Sequence, residues 1–585
     1  MPQQISLDDS SYDDIYENAM EMLRTRAPWW THTEVSDPGI MLLEMWALLS
    51  DMQSFYLDQV QESHCRKYLK LLGIRPDEGE CARIWVFFDN VAKDCTVPEG
   101  TKLLADRMVF ETVEEVGLIK NRLRGFFLGD GTDRSGAMML ERKSSFALQE
   151  GKGKLFSFTL EEPLGPERDF FFFILLREEK GRSPAENGFY MVRLAWEYRT
   201  REGWREARVV RDDTRGLLFS GLVGIRTDTS MEGNGQGGYE IRCRIKQGAY
   251  DVTPVLYKIY LNVAEAVQRN TLCHAEDVDF SEKCHEAALK SYLARTGRLW
   301  ILLRKDKDKG TDWQEGELWE DITDSADVRV DPPVTAERME RHIFFAGVGR
   351  VRIVCSAEGT APEELVKEVT GVAAQQIPLP WERLLRPSVE LMLRHGGEKQ
   401  YCTYRREEPE EDRYGNAWHW KEGENVIVLG DGRHGEIPPP SRKGLRFTSL
   451  ALWEGEKGNV SIDRITGWER PELFPGITCM NRLAGRGGRE RQLPSQQFEK
   501  AGERFLEQNR MITEADIRKL AKEIPGLLIK DVKARWRDNV LVVRLVPQHE
   551  LRSGCCVQRY RSQAEKYLEQ FRLAGTRLRI EIGNE

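Results

Sequence analysis

The sequence predicts an α+β multidomain protein: an N-terminal helical bundle module, mostly β central domains, and a small C-terminal α/β domain. Apolar residues recur at helical spacing near the start, alternating and β-branched runs fill the middle, and helix and strand patterns follow each other at the end. At 585 residues the chain is several times longer than a typical domain. We therefore expect three or more compact units with well-formed cores.

The first module, residues 1–75, is predicted to be helical. One helix covers Tyr12–Arg26, and Ser36-Asp37-Pro38 supplies a cap and a first-turn proline for a second helix. Gly73 suits a left-handed end, and Pro76 prevents continuation. Since one neighbouring helix cannot cover two apolar stripes, we expect partner helices from other chains. The first stripe is Leu42, Trp46, Leu49, Tyr56 and Val60, and the second is Met41, Met45, Leu48, Met52 and Phe55.

The middle of the chain is predicted to be mostly strands, separated by Gly, Pro and Asp. We divide it into a first β-rich domain (76–272), a central β-rich insertion (273–373) and a second β-rich domain with a Gly-Asp-Gly turn (374–493). Strands are expected at 84–88, 155–160, 170–176, 190–198, 240–245 and 255–261, and loops at 129–136, 305–316, 405–415 and 482–492.

The last unit, residues 494–585, is predicted as α-α-β-β-α-β, a small sheet covered by helices on one face. A helix from about residue 494 to 508 is followed by Thr513 and Asp516, a capping pattern that opens a second helix. Two strands form a hairpin around residues 537–539, and a helix and a final strand follow.

Composition excludes several classes of protein. A net charge of −9 and a pI near 5.8 argue against a protein that coats nucleic acid. No stretch approaches the roughly 20 apolar residues that span a bilayer, and the first residues lack a signal-peptide pattern. We expect synthesis in the cytoplasm and no direct membrane insertion. The 11 cysteines are scattered without a CxxC motif, which indicates reduced thiols.

The sequence contains no phosphate-binding loop, nucleophile elbow or metalloprotease motif. The tripeptide Arg433-His434-Gly435 is shared with histidine phosphatases, but the glycines before it and the prolines after it favour a tight turn. Asp-Gly loops at 129–133 and 431–432 leave Ca²⁺ binding open, and the arginine-rich loop 482–491 suits solvent or an acidic partner better than RNA or DNA. We predict no catalytic residue, no cofactor and no metal site.

Several motifs in chain order resemble the baseplate J-like family, the wedge proteins of contractile phage tails and contractile injection systems. The N-terminal match combines Ser36-Asp37-Pro38-Gly39-Ile40-Met41-Leu42-Leu43-Glu44 with residues 68–74. Further matches are Val97-Pro98-Glu99-Gly100-Thr101 with 110–112, residues 196–198, 203–204 and 213–217, then 376–379, 429–439, 458–460, and 512–516 with 520–521 and 525–526. Residues 273–373 match poorly, and Leu429 replaces a usual aromatic.

The resemblance implies a non-enzymatic structural subunit. Such wedge subunits join through N-terminal helices, form the inner baseplate ring around the spike hub, and relay the contraction trigger by rearranging protein contacts. Implied partners are other wedge subunits, including further copies of this chain, central spike or hub proteins and sheath-proximal baseplate proteins. The interface residues that we predict are Trp29, Trp30, Leu42, Met45, Trp46, Leu49, Phe55, Tyr56, Tyr560, Tyr567 and Phe571.

Two alternatives stay open. A multidomain β-rich protein that binds carbohydrate or cleaves glycosides would also be rich in Trp and would need a groove of aromatics or two facing carboxylates. A larger wedge subunit of the same machine is the other alternative, although the modest length favours the smaller one.

If Arg433-His434-Gly435 is only a turn, the purified protein should have no phosphatase or other hydrolase activity that depends on His434. The measurement is phosphate-ester turnover by the wild type and by His434→Ala, with both purified identically. Turnover that disappears in His434→Ala would contradict this prediction.

Overall fold

The computed structural model describes residues 11–57, 62–74, 77–140, 144–184, 189–235, 237–305, 317–361, 363–395, 397–406, 415–421, 424–506, 510–537, 539–551 and 553–583. It has the predicted architecture: N-terminal helices, mostly β-sheet domains, and a small C-terminal α/β region. The chain separates into a helical unit, residues 1–79 with 490–507, and a β-rich unit, residues 80–489 with 508–585. The five predicted domain boundaries stay predictions.

Eight α-helices lie in the described residues. They are α1 (Tyr12–Arg26), α2 (Pro38–Leu57), α3 (Glu62–Leu71), α4 (Ser135–Met139), α5 (Tyr292–Thr296), α6 (Pro494–Leu506), α7 (Glu514–Lys522) and α8 (Gly554–Leu568).

The β-rich unit contains 35 strands in its described residues. The first eighteen are β1 (Arg83–Asp89), β2 (Cys95–Val97), β3 (Lys102–Ala105), β4 (Met108–Thr112), β5 (Val116–Leu118), β6 (Leu123–Leu128), β7 (Phe146–Ala147), β8 (Phe156–Leu160), β9 (Asp169–Leu176), β10 (Val192–Thr200), β11 (Gly203–Glu206), β12 (Arg208–Asp212), β13 (Gly221–Arg226), β14 (Tyr239–Gly248), β15 (Val255–Leu261), β16 (Val263–Gln268), β17 (Asn270–Phe280) and β18 (Glu286–Ala288). The others are β19 (Arg298–Arg304), β20 (Leu318–Asp321), β21 (Val328–Val330), β22 (His342–Phe345), β23 (Gly349–Ser356), β24 (Val366–Val369), β25 (Gln376–Pro378), β26 (Glu390–Arg394), β27 (Gln400–Arg406), β28 (Ala417–Trp420), β29 (Val426–Leu429), β30 (Ser441–Leu452), β31 (Gly467–Trp468), β32 (Thr478–Met480), β33 (Ile529–Arg537), β34 (Val540–Pro547) and β35 (Arg577–Ile582).

In the helical unit, side-chain caps fix where the first two helices begin. The Ser11 hydroxyl accepts the Asp14 N–H, and the Asp14 carboxylate accepts the Ser11 N–H, so a capping box opens α1. The Asp37 carboxylate accepts the N–H groups of Gly39 at 2.8 Å and Ile40 at 3.3 Å, which confirms the predicted cap of α2.

The other helical pair is α3 and α6. Cys65 and Leu69 of α3 and Ala501 of α6 are buried, and the rings of Tyr68 and Phe498 lie 5.7 Å apart. Gly73 ends this stretch with φ +70°, the predicted left-handed conformation. The sequence places α6 at the start of the C-terminal unit, whereas in the structure it packs on a helix more than 400 residues earlier in the chain.

Two five-stranded antiparallel sheets form a sandwich, with strand orders β11-β10-β14-β8-β6 and β12-β13-β9-β15-β7. Its core is rich in aromatic residues: Phe156, Phe172 and Trp196 are each less than 2% exposed, and the rings contact edge to face. A six-stranded sheet, β31-β3-β4-β16-β1-β32, has its own core.

Residues 270–452 form an eleven-stranded sheet, seven strands of which close on themselves. The order is β20-β19-β23-β17-β30-β26-β27, and β27 pairs back to β20. A separate cluster of buried side chains lies on the opposite side of these strands from the neighbouring cores. It consists of Trp300, Leu302, Trp319, Val354, Met392 and Tyr401. The Arg446 guanidinium lies 3.6 Å from the centre of the Trp300 ring. This part of the chain is thus a small filled barrel.

The C-terminal sheet has the order β33-β34-β35, with β35 parallel to β34, and α7 and α8 cover one face. A buried carboxylate fixes it to the sandwich. The Arg182 guanidinium donates to Asp251 at 2.9 Å and to the Gly526 carbonyl at 2.7 Å, and the Tyr560 hydroxyl donates to Asp251 at 2.6 Å. Burial and the Asp251 carboxylate raise the pKa of Tyr560, which keeps this donor protonated.

Removing the Tyr560 hydroxyl should loosen this attachment. A hydrogen bond to a buried charged group contributes about 2 kcal/mol, so Tyr560→Phe should accelerate amide exchange in α8 and β34 about 30-fold. The measurement is hydrogen–deuterium exchange with mass spectrometry. In the control Tyr257→Phe, which removes a hydroxyl without a hydrogen bond among the described residues, exchange should not change; equal exchange in both variants would contradict the role of Tyr560.

The cap of α2 gives a second prediction. Asp37→Ala should cost about 1 kcal/mol of helix stability, because the Gly39 and Ile40 N–H groups lose their acceptor. Asp37→Asn should retain most of it, since asparagine caps equally well. Amide exchange in α2 measures both; equal exchange in the wild type and Asp37→Ala would refute the cap.

Candidate assembly interface

The start of α2 is shaped by a tryptophan that lies directly over a glycine. A Cβ atom at Gly39 would come within 2.0 Å of the Trp30 ring, so this position has no space for a larger residue. The Trp30 indole N–H donates to the His32 carbonyl at 2.9 Å, and the Trp29 ring stacks on Trp30 with centres 6.2 Å apart. Trp29 is 78% exposed.

Helix α2 turns its more polar side toward its own chain. Ile40 and Ala47 are buried, while Glu44 and Asp51 are half-buried on the same side. The pKa of Tyr12 in α1 is raised, first by lost hydration and then by the Glu44 carboxylate, which places Glu44 near α1. Since these are the only charged residues of α2, its exposed side carries no charge.

Both predicted apolar stripes are exposed. Trp46 is 70% and Leu42 60% exposed, and no described residue of the stripes is buried. We call this set the α2 apolar surface; Val60 lies outside the described residues. Its members are Met41, Leu42, Met45, Trp46, Leu48, Leu49, Met52, Phe55 and Tyr56.

The α2 apolar surface is unusual for a water-exposed helix. Single exposed apolar residues are normal, but a contiguous set of this size marks an interaction site. Three of its side chains are methionines with several rotatable bonds, which adapt readily to a partner. The arrangement offers no acid, base or nucleophile; it offers area for packing.

The three predicted interface residues of the C-terminal unit lie elsewhere. Tyr560 is 1% exposed and bound to Asp251, so its surface is used within the chain. Tyr567 and Phe571 are half-buried against the C-terminal core, with ring centres 5.3 Å apart. The residue spacing did not indicate the basic residues on the uncovered face of the C-terminal sheet.

The Arg433-His434-Gly435 segment forms a tight turn around Asp431. The Asp431 carboxylate accepts the N–H groups of Arg433 and His434, at 2.8 and 2.6 Å, and lies 3.1 Å from His434 Nδ1. The His434 backbone and side-chain hydrogen bonds hold the pKa of Asp431 well below its usual range. Gly432 and Gly435 have φ of +85° and +143°, which confirms the predicted turn glycines.

In the part of the chain that the structure describes, no cluster of three His, Cys, Asp or Glu side chains is arranged to hold a metal ion. The 11 cysteines are all described and none is in a disulfide. None of the described helices is long and apolar enough to cross a membrane.

Residues 11–66 match the family model described as the bacteriophage baseplate protein, N-terminal domain. No curated protein matches. The solved structures that resemble this chain include a subunit of the TssK-TssF-TssG baseplate subcomplex of the type VI secretion system, with 9% identity, a TM-score of 0.38, and coverage of 93% of this chain and 96% of that one. A chain of the anti-feeding prophage baseplate has 10% identity, a TM-score of 0.28, and coverage of 100% of this chain and 75% of that one. The matched segment, residues 11–66, contains α1 and α2, and thus the α2 apolar surface, and it is similar to the N-terminal domain of a phage baseplate protein.

Proposed function

We propose that this chain is a wedge subunit of the baseplate J-like family, in the baseplate of a contractile injection system or phage-like tail. The α2 apolar surface carries the proposal, because it is large, uncharged and located in residues 11–66, which match a baseplate N-terminal domain. We propose that its role is structural and not enzymatic.

Burial of the α2 apolar surface can supply much of the free energy that association costs. Burying a large apolar side chain contributes roughly 1.5–3 kcal/mol, and association costs ~4–15 kcal/mol. Four to six of the nine side chains would therefore offset most or all of the cost of association. Helices of another wedge subunit suit this surface best, since side chains at helical spacing pack into the holes of a facing helix.

A ring needs a second contact on each subunit besides the helical joint. The β-rich unit, with its own closed cores, can form such contacts with further copies of this chain, the spike hub and sheath-proximal proteins. We propose that the ring relays the contraction trigger by exchanging these contacts. The joint formed by the α2 apolar surface would persist through this change. Separating it would expose apolar side chains to water, which costs more free energy than breaking the other contacts.

Two leucines that are exposed to nearly the same extent provide a matched test of the proposed joint. Leu42 in the α2 apolar surface is 60% exposed, and Leu140 in the β-rich unit is 61% exposed. Leu42→Ala and Trp46→Ala should weaken assembly by tenfold or more, since each truncation removes about 1.4 kcal/mol or more at the interface. Leu140→Ala should assemble normally. All three should fold as the wild type does, because an exposed side chain leaves no cavity.

The measurement is co-expression with the proteins of the neighbouring genes, followed by pull-down and particle imaging, with circular dichroism as the folding check. Deletion of residues 1–73 should abolish wedge formation. Intact baseplates from the deletion, or equal defects in Leu42→Ala and Leu140→Ala, would refute the proposed joint.

A further inference from the structure

The C-terminal sheet has one face that α7 and α8 leave uncovered. Val532, Leu541, Val543, Leu545 and Ile580 point toward the helices and are buried in their core. Since side chains alternate along a strand, the residues between them form the opposite face. We call this the basic sheet face: Lys533, Arg535, Arg537, Val540, Val542, Arg544, Arg577, Arg579 and Glu581.

The strand register places these residues in three rows across the sheet. Arg535, Val542 and Arg579 form the middle row, since Val542 pairs with both arginines. The flanking rows are Lys533, Arg544 and Glu581 on one side and Arg537, Val540 and Arg577 on the other. Neighbouring strands are about 4.8 Å apart, so the cations are concentrated on a small area.

The charge of this face is opposite to that of the chain. The protein has 95 Asp and Glu against 86 Lys and Arg, whereas this face carries six cations and one carboxylate. The six cationic residues are all exposed, and Glu581 lies 3.4 Å from Arg579. Asp531, in the next row opposite Val546, pairs with Arg518 of α7 at 3.7 Å.

Protection of the sheet edges against pairing with strands of other chains explains only part of this concentration of positive charge. Lysine and arginine on edge strands discourage aggregation, which accounts for β33 and β35. It does not account for Arg544 on the central strand. A face that serves solubility alone mixes charges of both signs, whereas these three rows hold six cations against one carboxylate.

We propose that the basic sheet face docks an acidic surface of another protein. Val540 in one flanking row and Val542 in the middle row are half-buried, so the partner needs an apolar contact surrounded by carboxylates. A nucleic-acid strand fits less well, because the face has no aromatic residue for base stacking and Glu581 repels phosphate. A second copy fits less well in a symmetric pair, since arginine would face arginine.

This inference does not rest on the baseplate assignment, because the test detects any acidic protein partner in the cell. The full chain carries the photo-cross-linker p-benzoylphenylalanine in place of Val542 and is expressed in the native cells. Three versions are compared: the natural cations, Arg535→Gln with Arg577→Gln and Arg579→Gln, and Arg→Lys at the same three positions. A matched control neutralises Arg107, Arg298 and Arg442, which are exposed elsewhere on the β-rich unit.

The expected result is a protein adduct whose cross-linked peptide contains several Asp or Glu residues. Its yield should fall at least tenfold in the Gln triple variant and remain in the Lys triple variant and the matched control. Circular dichroism should be equal in all versions. The proposal is overturned by absence of an adduct, by an adduct with nucleic acid, lipid or a second copy of this chain, or by an adduct that the Gln variant retains.

Discussion

The buried Asp251 carboxylate is the interaction on which the arrangement of the β-rich unit depends. A carboxylate with 0% exposure is stable only when it is fully paired, and Asp251 accepts from Arg182, Tyr560 and the Val252 N–H. The same Arg182 donates to the Gly526 carbonyl in the turn between α7 and β33. The sandwich and the C-terminal sheet therefore cannot separate without exposing an uncompensated charge, and this holds the basic sheet face in one orientation.

The helical unit follows the opposite principle. In α2 the half-buried side carries Glu44 and Asp51, and the exposed side carries the large apolar residues. A helix that folds for itself alone would bury its apolar side. The chain therefore buries little of α2 itself and leaves the apolar side of this helix available for a partner.

Local features could be predicted from the sequence because their causes are local. The start of α1 depends on Ser11 and Asp14, and the start of α2 on Asp37, each within a few residues. The sequence also indicated which side of α2 is exposed. Its two charged residues, Glu44 and Asp51, lie seven residues apart on one face and leave the other side uncharged. Stripe spacing alone shows which residues share a face, and it does not show which face the chain covers.

Long-range pairing could not be predicted in this way. The barrel pairs β17 with β30, more than 160 residues later in the chain, and α6 packs on α3 near the other end of the chain. Tyr560, which the sequence predicts at an interface, is buried in the structure. Its spacing in α8 fits a core or an interface equally well, and only the position of Asp251, 309 residues away, decides for the core. The basic sheet face was hidden for the same reason, because its rows combine three strands.

The two exposed surfaces differ in how they respond to their surroundings. Contacts through the α2 apolar surface are not weakened by salt, since the driving force is the removal of apolar area from water. Contacts through the basic sheet face are screened within about 8 Å at physiological ionic strength, so they form and break at lower cost. A subunit with one joint of each kind can keep one neighbour permanently and exchange another. In the wedge role that we propose, this difference would let the apolar joint persist while the charged contacts change.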